Sequence, residues 1–172
     1  MALGDRPIRL ALIGCGEVTR AKHLPALSQV PEIRVLAVCD RDPTRSRDVA
    51  RQFRIPRHCD NAGEILGMPD LDAVGVCTDP GSHAALAIAV IRTGRPVWVD
   101  KPLALCPEDC LRMLDEAARA RVTAMTGFHM RFHRLVRQAR ELIRRGELGP
   151  VQCLRAVWHS PRGDDNLPIW RK

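Results

Sequence analysis

Tyrosine is missing from the 172 residues, and Trp and Phe number 3 each, so aromatics amount to 3% of the chain. Single-stranded nucleic acid is held largely by stacking on such rings, and their scarcity argues against a binder of that kind. Lysine is scarce as well. Lys22, Lys101 and Lys172 are the only ones, so the formal charge of +7 is an arginine charge. A basic balance favours anionic partners in general, yet these arginines form no arm. Arg45, Arg47 and Arg51, and again Arg137, Arg140, Arg144 and Arg145, recur at helical spacing and read as solvated helix faces. Nucleic acid is not expected as a partner.

A disulfide or zinc framework is equally unsupported. The 7 cysteines are odd in number and include no C-x-x-C pair. Cys15, Cys39 and Cys77 sit in or beside apolar runs, which predicts reduced, buried thiols and no metal site. Met1 to Arg9 carries no apolar signal core. The longest apolar run, Ala84 to Ile91, is too short to cross a bilayer. The expectation is a cytoplasmic chain with no membrane partner.

What is present is an alternation of β-rich and helical segments. The first strand reads as Ile8 to Ile13, ending in Gly14-Cys15-Gly16. A helix of about ten residues is expected from near Val18, with Pro25 ending or kinking it. A strand over Ile33 to Cys39 closes with Asp40. Asp42 and Pro43 then supply the N-cap and first-turn proline of a helix reaching Phe53. Asn61 and Glu64 have capping-box spacing for a short helix ending at Gly67. Further strands are expected at Ala73–Cys77, Pro96–Val99 and Val122–Thr126, with helices at Ser82–Arg92, Pro107–Ala120 and Phe132–Arg145. Such alternation implies parallel pairing through crossovers, and the runs Val35–Cys39 and Ala73–Cys77 are apolar throughout, as strands covered on both faces are. The fold class is α/β, a doubly wound parallel sheet. A boundary is expected near Gly127 to Arg131, with Val151–His159 a further strand of a second domain.

The sharpest chemical signal is Gly14-x-Gly16 between a strand and a helix. The first glycine permits the tight turn, and the second lets backbone approach a pyrophosphate at the helix N-terminus, where Glu17 and Val18 supply the first helical amides. Thr19 stands where the fingerprint has a third glycine or alanine. Asp40, about 20 residues on, ends the second strand, where an acid receives the adenosine ribose hydroxyls. An ordinary strand-to-helix turn with a capping Asp is the plainer alternative. The segment Thr78-Asp79-Pro80-Gly81-Ser82-His83 and the turn Asp100-Lys101-Pro102 follow later strands at their carboxyl ends, where ligands of such sheets bind. His83 alone would more often be a helix N-terminal or surface histidine. Lys101 is placed for a substrate oxygen, against the alternative of a solvated loop lysine.

In order, these pieces resemble the glucose-fructose oxidoreductase / inositol dehydrogenase / MocA family. The matching segments are Gly14-Cys15-Gly16 with His23-Leu24-Pro25-Ala26-Leu27, Cys39-Asp40, Thr78-x-Pro80-x-x-His83, Gly94-Arg95-Pro96-Val97 with Val99-Asp100-Lys101-Pro102, and Gly127-Phe128 through Arg131-Phe132-His133. The resemblance implies a Rossmann-type domain over 1–127 and an incomplete start of a substrate and oligomerisation domain over 128–172. It implies a nicotinamide dinucleotide, a small hydroxylated substrate such as a sugar or polyol, and a homo-oligomeric whole protein. Lys101 matches the catalytic lysine of the family's Glu-Lys-Pro motif, with Asp100 in place of the Glu. The Thr78 loop would lie along the nicotinamide ribose, and Arg131 and His133 near the cleft between domains. Asp40 argues for NAD over NADP, with Arg41 as the neighbour able to offset it. The family's acid/base histidine belongs to a second-domain motif that falls beyond Lys172, so a non-catalytic dinucleotide-binding module stays open as the other reading.

Overall fold

The computed structural model describes residues 6–157. Strands β1 (Ile8–Ile13), β2 (Ile33–Cys39), β3 (Arg57–Cys59), β4 (Ala73–Val76), β5 (Val97–Val99) and β6 (Ala124–Thr126) pair in parallel in the order β3-β2-β1-β4-β5-β6. The chain winds outward from β1 to β3, then returns to the other side of β1 to begin β4. That reversal puts the switch point of the sheet between β1 and β4, the place where open α/β sheets receive their ligands. Helices α1 (Leu24–Leu27), α2 (Pro43–Phe53), α3 (Ala62–Gly67), α4 (Pro80–Arg92) and α5 (Pro107–Ala120) fill the crossovers. All of this lies in the compact unit Met1–Phe128.

Neighbouring residues of a strand face opposite sides, and β1 uses both. Ala11 and Ile13 join one apolar cluster with Ile65, Ala87, Ile91, Met113 and Ala117, drawn from α3, α4 and α5. Leu10 and Leu12 join the other, with Leu24, Val49 and Ala50 from α1 and α2. Fully buried Leu12 and Ile91 anchor the two faces. Polar groups fix the element ends. The Asp42 carboxylate accepts from the N–H groups of Thr44 and Arg45 at 3.0 and 3.2 Å to start α2, and Asn61 accepts from Gly63 N–H at 2.7 Å to start α3. Asp72 receives Arg9 N–H at 2.8 Å and the guanidinium of Arg6 at 2.6 Å, pinning the start of β4 to β1. Those guanidinium bonds hold its carboxyl far below the usual carboxylate range.

Four expectations need correction. Pro25 does not end the first helix. The helix passes through it to Leu27, because the turn Thr19–His23 widens to π geometry, with Leu24 N–H reaching back to Thr19 O. A wider turn relieves the clash that the proline ring would have with the carbonyl four residues earlier. Strand β3 was not foreseen, since Arg57-His58-Cys59 has no apolar run. It exists because β2 offers an unpaired edge to it. Helix α4 begins at Pro80 rather than Ser82, a proline at the first helical position after extended Asp79. Residues 151–157 form no strand and are exposed, since an extended segment becomes a strand only where a neighbour shares its backbone bonds. His159 lies outside the described residues. The second compact unit, His129–Lys172, contains a 3-10 turn at His129–Phe132 and helix α6 (Arg134–Arg144).

Candidate cofactor site

Four of the segments marked in the sequence stand at the carboxyl ends of β1, β2, β4 and β5, which share one edge because the strands are parallel. Backbone bonds lock those ends together. Gly14 N–H donates to Cys39 O at 2.7 Å, Cys77 N–H to Ile13 O at 2.7 Å, and Asp100 N–H to Val76 O at 2.8 Å.

Gly14 has φ of +104°, and a Cβ there would lie 2.4 Å from Cys77 O. Both facts demand glycine. Gly16 differs: a Cβ would meet nothing within 4 Å. The chain's own packing therefore does not require glycine at 16, and the open space beside a helix N-terminus fits a pyrophosphate brought close to backbone. Glu17 and Val18 are exposed at the first helical positions. Thr19, at the position where the fingerprint departs, is 1% exposed. Its hydroxyl donates to Gly14 O at 2.8 Å, so it closes the loop with a bond that glycine or alanine lacks.

Asp40 is tied to the same loop. Its carboxylate accepts Cys15 N–H at 2.8 Å and Asp42 N–H at 3.0 Å. Burial and the Asp40 charge push the Cys15 thiol up to about 12, so this cysteine is an inert core residue rather than a nucleophile. Burial likewise raises Cys39 and Cys77. Arg41 turns away from Asp40, with one guanidinium nitrogen 3.8 Å from Asp79. Arg45, assigned from spacing to a solvated face, is exposed as expected and also donates to Asp40 at 3.1 Å. Sequence reasoning missed it, although a first-turn helix residue three after an N-cap is placed to reach back to the strand end.

Beyond β4, the Thr78 hydroxyl oxygen accepts a bond from the Ser82 hydroxyl at 2.7 Å, and Pro80 is buried. His83 is buried, with its ring nitrogens 2.7 Å from Pro102 O and 3.0 Å from Thr78 O. It joins the Thr78 loop to the turn after β5, so any effect on a ligand is exerted through the loop. In that turn Asp100 accepts Lys101 N–H at 2.8 Å and lies 3.4 Å from the His23 ring. Burial raises the Asp100 carboxyl, but the His23 and Lys101 bonds and charges outweigh it and hold the group below its ordinary value. The rings of His23 and Trp98 meet nearly at right angles, with centroids 4.7 Å apart. His23 is the second residue that residue-by-residue reading did not single out, and its signal was its place two residues before Pro25. The Lys101 side chain is exposed and has no ion-pair partner among the described residues.

Arg131 and His133 lie in the second unit, both exposed. Among the described residues no group of three His, Cys, Asp or Glu is placed to hold a metal ion, and no helix is long and apolar enough to cross a membrane. The arrangement offers a glycine-lined cradle, an acid at the second strand end and an exposed lysine beyond the fifth strand.

Known proteins resemble this chain in sequence and fold. An inositol 2-dehydrogenase of Acidothermus cellulolyticus is 37% identical over 149 residues, covering 84% of this chain and 43% of that protein. The WlbA dehydrogenase from Bordetella pertussis, solved in complex with NADH and UDP-GlcNAcA, superposes with a TM-score of 0.79 at 27% identity over 84% of this chain and 42% of its own. KijD10, a 3-ketoreductase from Actinomadura kijaniata solved with TDP-benzene and NADP, gives 0.75 at 27% identity over 82% and 44%. The chain thus spans less than half the length of these relatives. Residues 8–128 match the family described as an oxidoreductase family with an NAD-binding Rossmann fold, and this chain belongs to that Gfo/Idh/MocA oxidoreductase family.

Proposed function

We propose that the protein is an oxidoreductase that moves a hydride between a nicotinamide and a secondary alcohol carbon of a sugar, polyol or inositol-like substrate, with NAD as the preferred cofactor. The observation that carries this reading is the junction of Gly14, open Gly16 and Asp40 through one bonded loop, in a chain 37% identical to an inositol dehydrogenase.

The amides of Gly16, Glu17 and Val18 hold the pyrophosphate, and Asp40 receives a ribose hydroxyl. Thr78 and Pro80 shape the wall along the nicotinamide ribose, with His83 bracing them from behind. When bound, the nicotinamide supplies or takes up the hydride. Lys101 meets the substrate oxygen and stabilises the alkoxide charge that develops there, while Asp100, clamped by His23, fixes the backbone from which Lys101 projects. By analogy with the family, a histidine outside this domain exchanges the hydroxyl proton. Domains of 1–127 and 128–172, homo-oligomeric assembly and a cytoplasmic setting complete the reading. All 7 cysteines are unpaired, which suits a reducing compartment.

The test uses the whole protein as expressed, with inositols and sugars deuterated at the carbinol carbon. The expected result is label on the reduced nicotinamide. Saturable dinucleotide binding without transfer to any of them would reduce the protein to a non-catalytic binding module.

A further inference from the structure

The carboxylate of Asp40 is already well supplied with donors. Oδ2 accepts Cys15 N–H at 2.8 Å, and Oδ1 accepts Asp42 N–H at 3.0 Å and Arg45 Nη1 at 3.1 Å. An ionised carboxylate has about four acceptor directions. Three donors leave it short of the two that a pair of ribose hydroxyls would take. The Asp40 side chain is 10% exposed and that of Arg45 49%, so the guanidinium stands at the mouth of the acid's pocket. Its other terminal nitrogen leans on Asp42 at 3.6 Å. Arg41, the arginine next to the strand end, is 94% exposed and directed toward Asp79.

Arg45 lies in the first turn of α2, where the helix dipole disfavours a positive side chain, and the N-cap Asp42, 3.6 Å away, offsets only part of that cost.

Resting on the reading of Asp40 as the ribose acid, we infer that Arg45 is a cofactor-specificity residue, which cancels the Asp40 charge and presents a guanidinium to the 2′ position, so that this domain accepts NADP as well as NAD. Asp40 alone would repel a 2′-phosphate. A guanidinium already on that carboxylate removes most of the repulsion, and a small rotation lets it bond the phosphate through two N–H groups. Toward NAD the same side chain is a mild competitor, because it holds a lone pair that a ribose hydroxyl needs. The preference for NAD is therefore shallow.

Calorimetric titration of the chain with NAD and with NADP tests this, using the unmutated protein and the variants Arg45→Gln, Arg45→Lys and Arg41→Gln. The unmutated chain should bind the two cofactors within about tenfold of each other. Arg45→Gln should weaken NADP by roughly tenfold or more and leave NAD unchanged or tighter. Arg45→Lys should keep part of the NADP affinity, and Arg41→Gln should move the ratio less than Arg45→Gln. An NAD-to-NADP ratio unaltered by Arg45→Gln, with both cofactors bound, would overturn the inference and leave the cofactor site standing. If the folded, unmutated chain bound neither, the cofactor reading itself would fail and take this inference with it.

Discussion

Gly14→Ala is expected to destabilise the domain by about 2–6 kcal/mol, combining strain at a left-handed backbone position with forced overpacking. The position is held at φ of +104°, and the added methyl would sit 2.4 Å from Cys77 O and 2.9 Å from Thr78 N, both backbone atoms of the adjacent strand end. No side chain can swing aside to relieve that contact. The end of β1 must separate from β4, which opens the switch point and removes NAD binding with it. Gly16→Ala makes the informative contrast. Its methyl enters open space, so the change in stability should stay within about 1 kcal/mol, while NAD affinity falls because the methyl stands where backbone meets pyrophosphate. Urea unfolding and NAD titration of both variants separate the two roles. Gly14→Ala as stable as the parent would show that the loop is not built as described.

Lys101→Ala is the second large effect. In the whole protein it should lower turnover by roughly 10²–10³, the loss seen when a donor to transition-state charge is removed. NAD affinity should change little, since Lys101 is assigned to the substrate oxygen rather than to the cofactor's phosphates or ribose. The lysine is exposed and lacks a carboxylate partner among the described residues, which leaves its charge free to meet an oxyanion. Asp100 holds the backbone N–H of Lys101 instead of its ammonium group. Steady-state kinetics with cofactor titration decide the matter. Undiminished turnover would return Lys101 to the solvated loop lysines.

Much of this architecture is legible in the residues because the decisive signals are local. Strands β1 and β2 are apolar runs ended by Gly14 and Asp40, and α2 and α3 announce themselves through Asp42-Pro43 and Asn61. What escapes is set by partners distant in sequence. Arg57-His58-Cys59 is a strand because β2 lies beside it. The run over 151–157 remains unpaired despite its β-rich composition. The site follows the same division. Glycines, strand-end acid and lysine could be placed from spacing and resemblance, but the guanidinium that rests on Asp40 could not. Arg41 and Arg45 both lie close to Asp40 in sequence, and only the turn of α2 decides which one reaches it. Thr19 is a smaller case, a departure from the glycine pattern whose hydroxyl bond to Gly14 O becomes visible only in the folded loop.

Two-dimensional amide NMR of the isotopically labelled chain during NAD addition asks whether the loop Gly14–Val18, joined to Asp40, cradles the dinucleotide. Saturable shifts are expected, largest at Gly16, Glu17, Val18 and Asp40, with a second group at Thr78 and His83. Saturable binding whose largest shifts fall on other segments, or a folded chain whose spectrum NAD leaves unchanged, would contradict this placement.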